Sequence, residues 1–112
     1  MVLINIPVPI TIKLTASNGQ EISQEISMAK FIKDILGSDR RAGADLKTLL
    51  SAQEVIKTFD DAEKANVTPV KIHANDFDII KPIILAPQGG YLPVFALQVL
   101  PYIEAIRDGQ RE

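Results

Sequence analysis

Apolar and polar residues alternate in the stretch "ITIKLT", which begins at Ile10. Every second residue from Ile10 to Leu14 is apolar, as on the buried face of a strand. The turn sequence "SNG" follows at residues 17–19, where Asn and Gly tolerate the positive φ of a tight hairpin turn. Ile22 and Ile26 resume the apolar face beyond it. The pattern predicts an N-terminal β-hairpin.

The segment before this hairpin reads "IPVP" over residues 6–9. Proline donates no hydrogen bond to a β-ladder, so the segment is expected to run extended, along a sheet edge or as an arm. We therefore predict that residues 1–9 form an extended arm. Ile6 and Val8 are candidate contacts with another chain, because edge segments can add to a neighbour's sheet.

Two amphipathic helices are predicted next. Ser27 is a suitable N-cap, and Gly37 marks the end of the first helix. Its apolar stripe has helical spacing and consists of Met28, Phe31, Ile32, Ile35 and Leu36. A polar loop, "GSDRRAGAD", leads to a second cap at Asp45. The predicted buried side of the second helix is Leu46, Leu49, Leu50, Ile56 and Phe59.

The second half of the chain predicts a strand followed by two more helices. "VTPVKIH" is typical of a short strand entered through Pro69. Asn75 is the predicted N-cap of a third helix that buries Phe77, Ile80 and Ile84 until Pro82 bends or stops it. After the turn-rich connector "APQGGYLP", Pro93 suits the first turn of a last helix over residues 94–107, with Pro101 as a kink. The predicted fold class is α+β: a hairpin, about four helices and one additional strand in a single domain over residues 1–112.

Composition excludes several classes of function. Apolar residues make up 46% of the chain, which supports a globular fold. The chain contains 12 basic and 14 acidic residues, so it has no basic excess, and binding to nucleic acid through a basic surface is not expected. With no cysteine, the chain has no disulfide, thiolate ligand or thiol nucleophile.

A membrane span is suggested only by residues 82–103, which carry no charge. Four prolines and the pair Gly89-Gly90 interrupt this segment, so a spanning helix is not expected. The start "MVLINIPVPITIKL" has neither a basic n-region nor a cleavage site and is a poor signal peptide. We expect a soluble protein of the cytoplasm, with no membrane partner.

The only histidine lies in "KIHANDFD", where His73, Asp76 and Asp78 suggest a metal or acid/base site. A structural interpretation competes with it. Carboxylates in the first turn of a helix offset the positive end of its dipole, which explains both Asp residues without a ligand. The spacing matches no known ligand pattern, and a structural zinc site needs more ligands. We expect no metal and no other cofactor.

Two other chemical motifs are weak. Arg40 and Arg41 in "SDRRAG" are candidate anion-binding residues, although Asp39 beside them favours a salt bridge in a loop. The pattern is neither a P-loop nor a dinucleotide fingerprint. No G-x-S-x-G motif accompanies the serines, so no catalytic residue is assigned.

The last helix, "LPVFALQVLPYIEAI", is apolar nearly all round before Glu104. A surface helix of a small domain normally has one apolar stripe and an opposed polar face. This helix must therefore be covered on several sides, either by its own domain or by another chain. The candidate interaction residues are Leu92, Phe95, Val99, Tyr102 and Ile103.

The order of these segments resembles a known group of proteins. "SMAKFIKDIL", "VKIHANDFDIIKPII" and "PQGGYLPVFALQVLPYIEAIRDG" follow a polar-turn hairpin, and Pro101, Tyr102 and Ala105 form a Pro-aromatic-x-x-Ala ending. Over residues 10–108 this layout is similar to small proteins encoded among the structural and tail-assembly genes of tailed double-stranded DNA phages and prophages. The resemblance implies a non-enzymatic assembly role, as a virion component or a tail-assembly chaperone in a bacterial host.

Two functions follow as hypotheses. The first is a protein–protein interaction subunit, with copies of itself or phage structural proteins as partners and without nucleic acid. The alternative is a small enzyme or ligand- or metal-binding domain centred on His73, Asp76 and Asp78.

Overall fold

The computed structural model describes residues 2–14 and 24–111 of the chain. The described residues form helices and antiparallel strand pairs that do not alternate regularly along the chain, which confirms the predicted α+β class. The elements are β1 (Leu3–Ile6), β2 (Thr11–Leu14), β3 (Gln24–Ser27), α1 (Met28–Ser38), a 3-10 helix (Arg40–Gly43), α2 (Leu46–Lys64), β4 (Val70–His73), α3 (Ala74–Leu85), α4 (Pro93–Arg107) and β5 (Gln110–Arg111).

Strands β2 and β3 pair antiparallel, as the sequence predicts. Thr11 lies opposite Ser27, and Leu14 lies opposite Gln24. The backbone N–H of Met28 donates to the carbonyl of Ile10 at 2.7 Å, which ties the start of α1 to this pair. The predicted turn at residues 17–19 and its neighbour Ile22 lie outside the described residues.

The N-terminal segment is the central strand of a three-stranded antiparallel sheet with the order β4-β1-β5. Leu3 lies opposite His73, and Ile6 lies opposite Val70. The predicted arm is therefore wrong, and Ile6 and Val8 are buried in the chain's own core. The prolines do not prevent pairing, because Pro7 comes directly after the last paired residue and no ladder bond needs its missing N–H.

Both predicted caps begin their helices. The Ser27 hydroxyl accepts a hydrogen bond from the N–H of Lys30 at 3.0 Å at the start of α1. The Asp45 carboxylate accepts from the N–H of Thr48 at 2.8 Å at the start of α2. Each cap satisfies one of the N–H groups that a helix leaves without an internal partner.

Helix α2 buries Phe59 as predicted, and Ile56 packs partly buried against the core, but the first turns of the helix bury a different face from the predicted one. Ser51, Ala52, Val55 and Phe59 are buried, whereas the predicted core residues Leu46, Leu49 and Leu50 are exposed. Small side chains on the buried face allow α2 to pack close to α3, where the hydroxyl of Ser51 donates to the Asp76 carboxylate at 2.9 Å. Close packing on the smaller face leaves the three leucines in solvent.

Helix α3 starts earlier than predicted. It follows β4 without a loop, and its first N–H, from Ala74, donates to the carbonyl of Val2 at 2.9 Å. Asn75 therefore lies in the first turn and is not the cap. The helix also continues through Pro82 to Leu85, while Phe77, Ile80 and Ile84 are buried as predicted.

A single cluster of buried apolar side chains joins β1, β4 and all four helices. Helices α1 and α2, α2 and α3, and α3 and α4 pack as successive neighbours. Phe31 of α1 lies near the centre of this arrangement, where three aromatic residues from the C-terminal part of the chain surround it. The core thus fixes how the last helix is rotated.

Candidate functional site

The histidine cluster is held by structural contacts. His73 ends β4 with an exposed side chain. The Asp76 carboxylate accepts the hydrogen bond from Ser51, and Asp78 forms an exposed ion pair with Arg111 at 3.5 Å. Among the described residues, no three His, Cys, Asp or Glu side chains are grouped as a metal ion requires. The acidic pair thus links α3 to α2 and β5.

Arg41 of the predicted anion site is engaged by Asp39. Its Nε and Nη2 atoms donate to the two oxygens of the Asp39 carboxylate at 3.0 Å and 2.7 Å. Nη2 also donates to the carbonyl of Ala86. The exposed Arg40 donates a backbone hydrogen bond to the Gln88 side chain at 3.4 Å. The two arginines therefore do not converge on a shared site.

Asp39 is the buried centre of this loop network. Its side chain is only 1% exposed and also accepts a hydrogen bond from the N–H of Gln88 at 2.8 Å. The side-chain hydrogen bond from Arg41, followed by the backbone bond from Gln88, holds the pKa of Asp39 well below its usual range, although burial opposes this shift. The network joins the segment before α2 to the connector before α4.

The predicted interaction residues do not share one surface. Val99 and Tyr102 are fully buried, as are Ile6 and Val8, so none of these four is available to a partner. Phe95 and Ile103 are half-buried against the core, and Leu92 is exposed. Of the seven predicted contacts, only Leu92 presents most of its side chain to solvent.

Aromatic contacts explain why the inner face of α4 is buried. The Phe31 ring lies 5.9 Å from the Tyr102 ring and 6.4 Å from the Phe95 ring, measured between centroids. Both separations are in the range of favourable aromatic pairs. The Tyr102 hydroxyl donates to the carbonyl of Ile26 at 3.1 Å, and burial raises the pKa of Tyr102 far above its usual range. These contacts orient α4.

The opposite face of α4 is an exposed apolar ridge. We define the α4 ridge as the exposed residues Pro93, Val94, Leu97, Leu100 and Pro101. Leu97 is 72% exposed and Val94 is 59% exposed. Their spacing places all five on one side of the helix, and Leu92 at its N-cap extends the apolar surface. A contiguous apolar surface of this kind is typical of an interaction site.

The sequence locates this helix but does not show which of its faces is exposed, and the predicted contacts Val99 and Tyr102 lie on the buried face. An all-round apolar helix gives no periodic signal that separates the inner side from the outer side. The exposed leucines of α2 were missed for a related reason, since Leu46, Leu49 and Leu50 were predicted to be core residues. The signal that could have found them is the small-residue pair Ser51-Ala52, which indicates the closely packed side.

No protein-family model, curated protein or solved structure matches this chain. Within the part of the chain that the structure describes, no helix has both the length and the apolar character needed to cross a membrane. The α4 ridge is therefore the candidate functional site on its geometry alone.

Proposed function

We propose that this chain is a non-enzymatic protein–protein interaction subunit that binds its partner through the α4 ridge. The observation that carries the proposal is the exposure of Val94, Leu97 and Leu100 on a helix without a charged residue before Glu104. Small soluble domains normally keep such contiguous apolar surface covered. A partner chain supplies the cover in the assembled state.

The energetics of the ridge fit reversible binding. Covering its exposed side chains removes on the order of 500 Å² of apolar surface from this chain, which is the size of patch that often marks an interaction site on a monomer. A contact of this size is at the small end of protein–protein interfaces, so we expect a weak and reversible complex.

The assembly in question is, in our proposal, the particle or tail of a tailed phage. This part rests on the resemblance in layout over residues 10–108. The role is that of a virion component or an assembly chaperone.

The test is binding to the structural proteins encoded beside the gene for this chain. Each is purified and mixed with the chain, and the mass of the mixture is measured by size-exclusion chromatography with light scattering. We expect a defined complex, either of the chain with itself or with at least one of these proteins, and Leu97→Asp is expected to abolish it because a buried charge has no partner in an apolar contact.

Leu46→Asp is the matched control, since Leu46 is 70% exposed and Leu97 is 72% exposed. The same change at the same exposure on α2 is expected to leave the complex intact, and both variants should unfold at the wild-type urea concentration. A complex lost with Leu46→Asp but kept with Leu97→Asp would contradict the assignment to α4. The absence of any complex, with a wild-type chain that also fails to self-associate, would overturn the proposed function.

A further inference from the structure

We propose that the partner of the α4 ridge is a second copy of this chain, and that the two α4 helices pack antiparallel about a twofold axis at Leu97. The inference rests on the proposed function, because it names the partner of the same surface. The observation that supports the antiparallel dimer is the order of residues along the ridge.

The α4 ridge has the same pattern in both directions from Leu97. Val94 and Leu100 lie three residues before and after it, and Pro93 and Pro101 lie four residues before and after it. A twofold axis pairs residue i of one copy with residue j of the other, and j with i. In an antiparallel pair Leu97 thus meets its own counterpart, Val94 faces Leu100, and Pro93 faces Pro101. Each contact is apolar against apolar.

Glu104 favours the antiparallel orientation over the parallel one. It is exposed and lies seven residues beyond Leu97, which is two helical turns and therefore on the same face. In the antiparallel pair it lies beside the N-terminus of the other copy's α4, where Leu92 provides no side-chain cap. The N–H groups of a helix N-terminus favour a carboxylate. A parallel pair would instead place two Glu104 carboxylates side by side.

The area of the ridge is small for a dimer interface. Two copies together bury about 1,000 Å², which is the lower limit for a specific interface. We expect a weak dimer that forms and dissociates reversibly, because small interfaces leave little surplus after the cost of association. Light scattering over a dilution series that starts at millimolar concentration measures its dissociation constant.

The absence of cysteine from the chain makes disulfide mapping decisive, since every introduced thiol is unique. Helix axes in close contact are about 8–10 Å apart and each Cα lies about 2.3 Å from its axis, so facing Cα atoms are about 4–5 Å apart. A disulfide needs Cα atoms about 4.4–6.8 Å apart. Residues that face each other across the twofold axis can therefore be joined.

The experiment uses single-cysteine variants under mild oxidation, at concentrations where the wild type has the dimer mass. Leu97→Cys alone is expected to give a covalent dimer. Val94→Cys and Leu100→Cys should remain monomeric separately but crosslink when mixed, because they face each other only in the antiparallel arrangement. Lys33→Cys, at an exposed position of α1, is the control that should not crosslink.

A second measurement tests the role of Glu104. Glu104→Gln is expected to weaken the dimer about 3- to 30-fold, from two helix-terminus contacts. The same change at the exposed Glu54 of α2 should leave the affinity unchanged.

The outcomes separate this inference from the proposed function. Crosslinking of Val94→Cys and Leu100→Cys each with itself would indicate parallel helices and overturn the arrangement. A wild-type chain that stays monomeric up to millimolar concentration would overturn the dimer. If that monomer still forms a complex that Leu97→Asp abolishes, the proposed function stands and its partner is another protein.

Discussion

Replacing Asp39 with Asn is expected to destabilise the fold by about 2 kcal/mol, and the value follows from the hydrogen bonds of the carboxylate. Oδ1 accepts from the backbone N–H and Nε of Arg41 at 2.9 Å and 3.0 Å. Oδ2 accepts from Nη2 of Arg41 and the N–H of Gln88 at 2.7 Å and 2.8 Å. In Asn, an NH2 group replaces one of the two oxygens. This group cannot accept the two hydrogen bonds that the oxygen accepted, and its own N–H groups face those two donors.

The magnitude lies below that of a fully buried ion pair. Hydrogen bonds to a charged group contribute about 1.5–3 kcal/mol each when one partner is removed. The Arg41 side chain is 45% exposed, so water replaces much of what it loses. Whichever oxygen is replaced by the NH2 group, one backbone N–H, of Arg41 or of Gln88, loses its acceptor, and this loss accounts for most of the effect. For a chain of this length, about 2 kcal/mol lowers the melting temperature by about 8 °C.

The same carboxylate makes stability depend on pH in a defined direction. The pKa of Asp39 is lowered in the folded chain, chiefly by the Arg41 side chain, so the folded state favours the ionised form. Its contribution is complete above the pKa of an unfolded Asp, about 3.9, and is lost as the pH falls through the folded value. The difference in stability between wild type and Asp39→Asn should therefore shrink below about pH 4.

Urea unfolding followed by circular dichroism at pH 7 and at pH 3 measures both effects. Arg40→Gln is the matched control, because Arg40 is the exposed neighbour in the same loop and its loss should cost less than about 0.5 kcal/mol. Equal costs for Asp39→Asn and Arg40→Gln, or a difference between wild type and Asp39→Asn that stays constant from pH 7 to pH 3, would refute the reasoning.

Three further predictions concern packing and ionisation. Gly109→Ala should lower the free energy of unfolding in urea by about 1–3 kcal/mol, because a Cβ at this position would lie 2.8 Å from Cγ2 of Ile4. Gly37→Ala is the control, since a Cβ there meets open space and should stabilise α1 by about 0.5 kcal/mol. Equal effects of the two substitutions would contradict the contact with Ile4. Tyr102→Phe should cost about 1 kcal/mol through its lost hydrogen bond to a backbone carbonyl, and an unchanged unfolding midpoint would show that the bond contributes nothing. Burial raises the pKa of Tyr91 to about 12 and that of Tyr102 further, so ultraviolet titration of these two tyrosines should show no ionisation at pH 10.5 until urea unfolds the chain, and stability should fall as the pH rises above about 10.

Local signals in the sequence predicted the parts of the fold that local chemistry decides. Ser27 and Asp45 cap α1 and α2 because each side chain needs only a backbone N–H three residues ahead. The strand Val70–His73 follows from its own apolar alternation. In each case the residues that carry the signal are also the residues that form the contact, so no distant part of the chain could override it.

Predictions failed where a distant segment decides the outcome. Leu3–Ile6 became a central strand because β4 and β5, which come much later in the chain, pair with both of its edges. Asn75 lost the cap position because the backbone of Val2 already binds the N–H of Ala74. Neither partner is visible within a short window of sequence.

In the candidate site too, a distant segment decides which residues of a helix are buried, and the sequence of α4 alone does not show it. Leu97 and Val99 are similarly apolar, yet one is 72% exposed and the other is fully buried. The difference arises from rotation of α4 about its axis, which the Phe31 ring and the hydrogen bond of Tyr102 to Ile26 fix from outside the helix. Because successive residues are 100° apart on a helix, burying Tyr102 turns Leu97 toward solvent. The aromatic anchor therefore determines which residues remain for a partner, and the symmetric pattern around Leu97 is on the side that this anchor exposes.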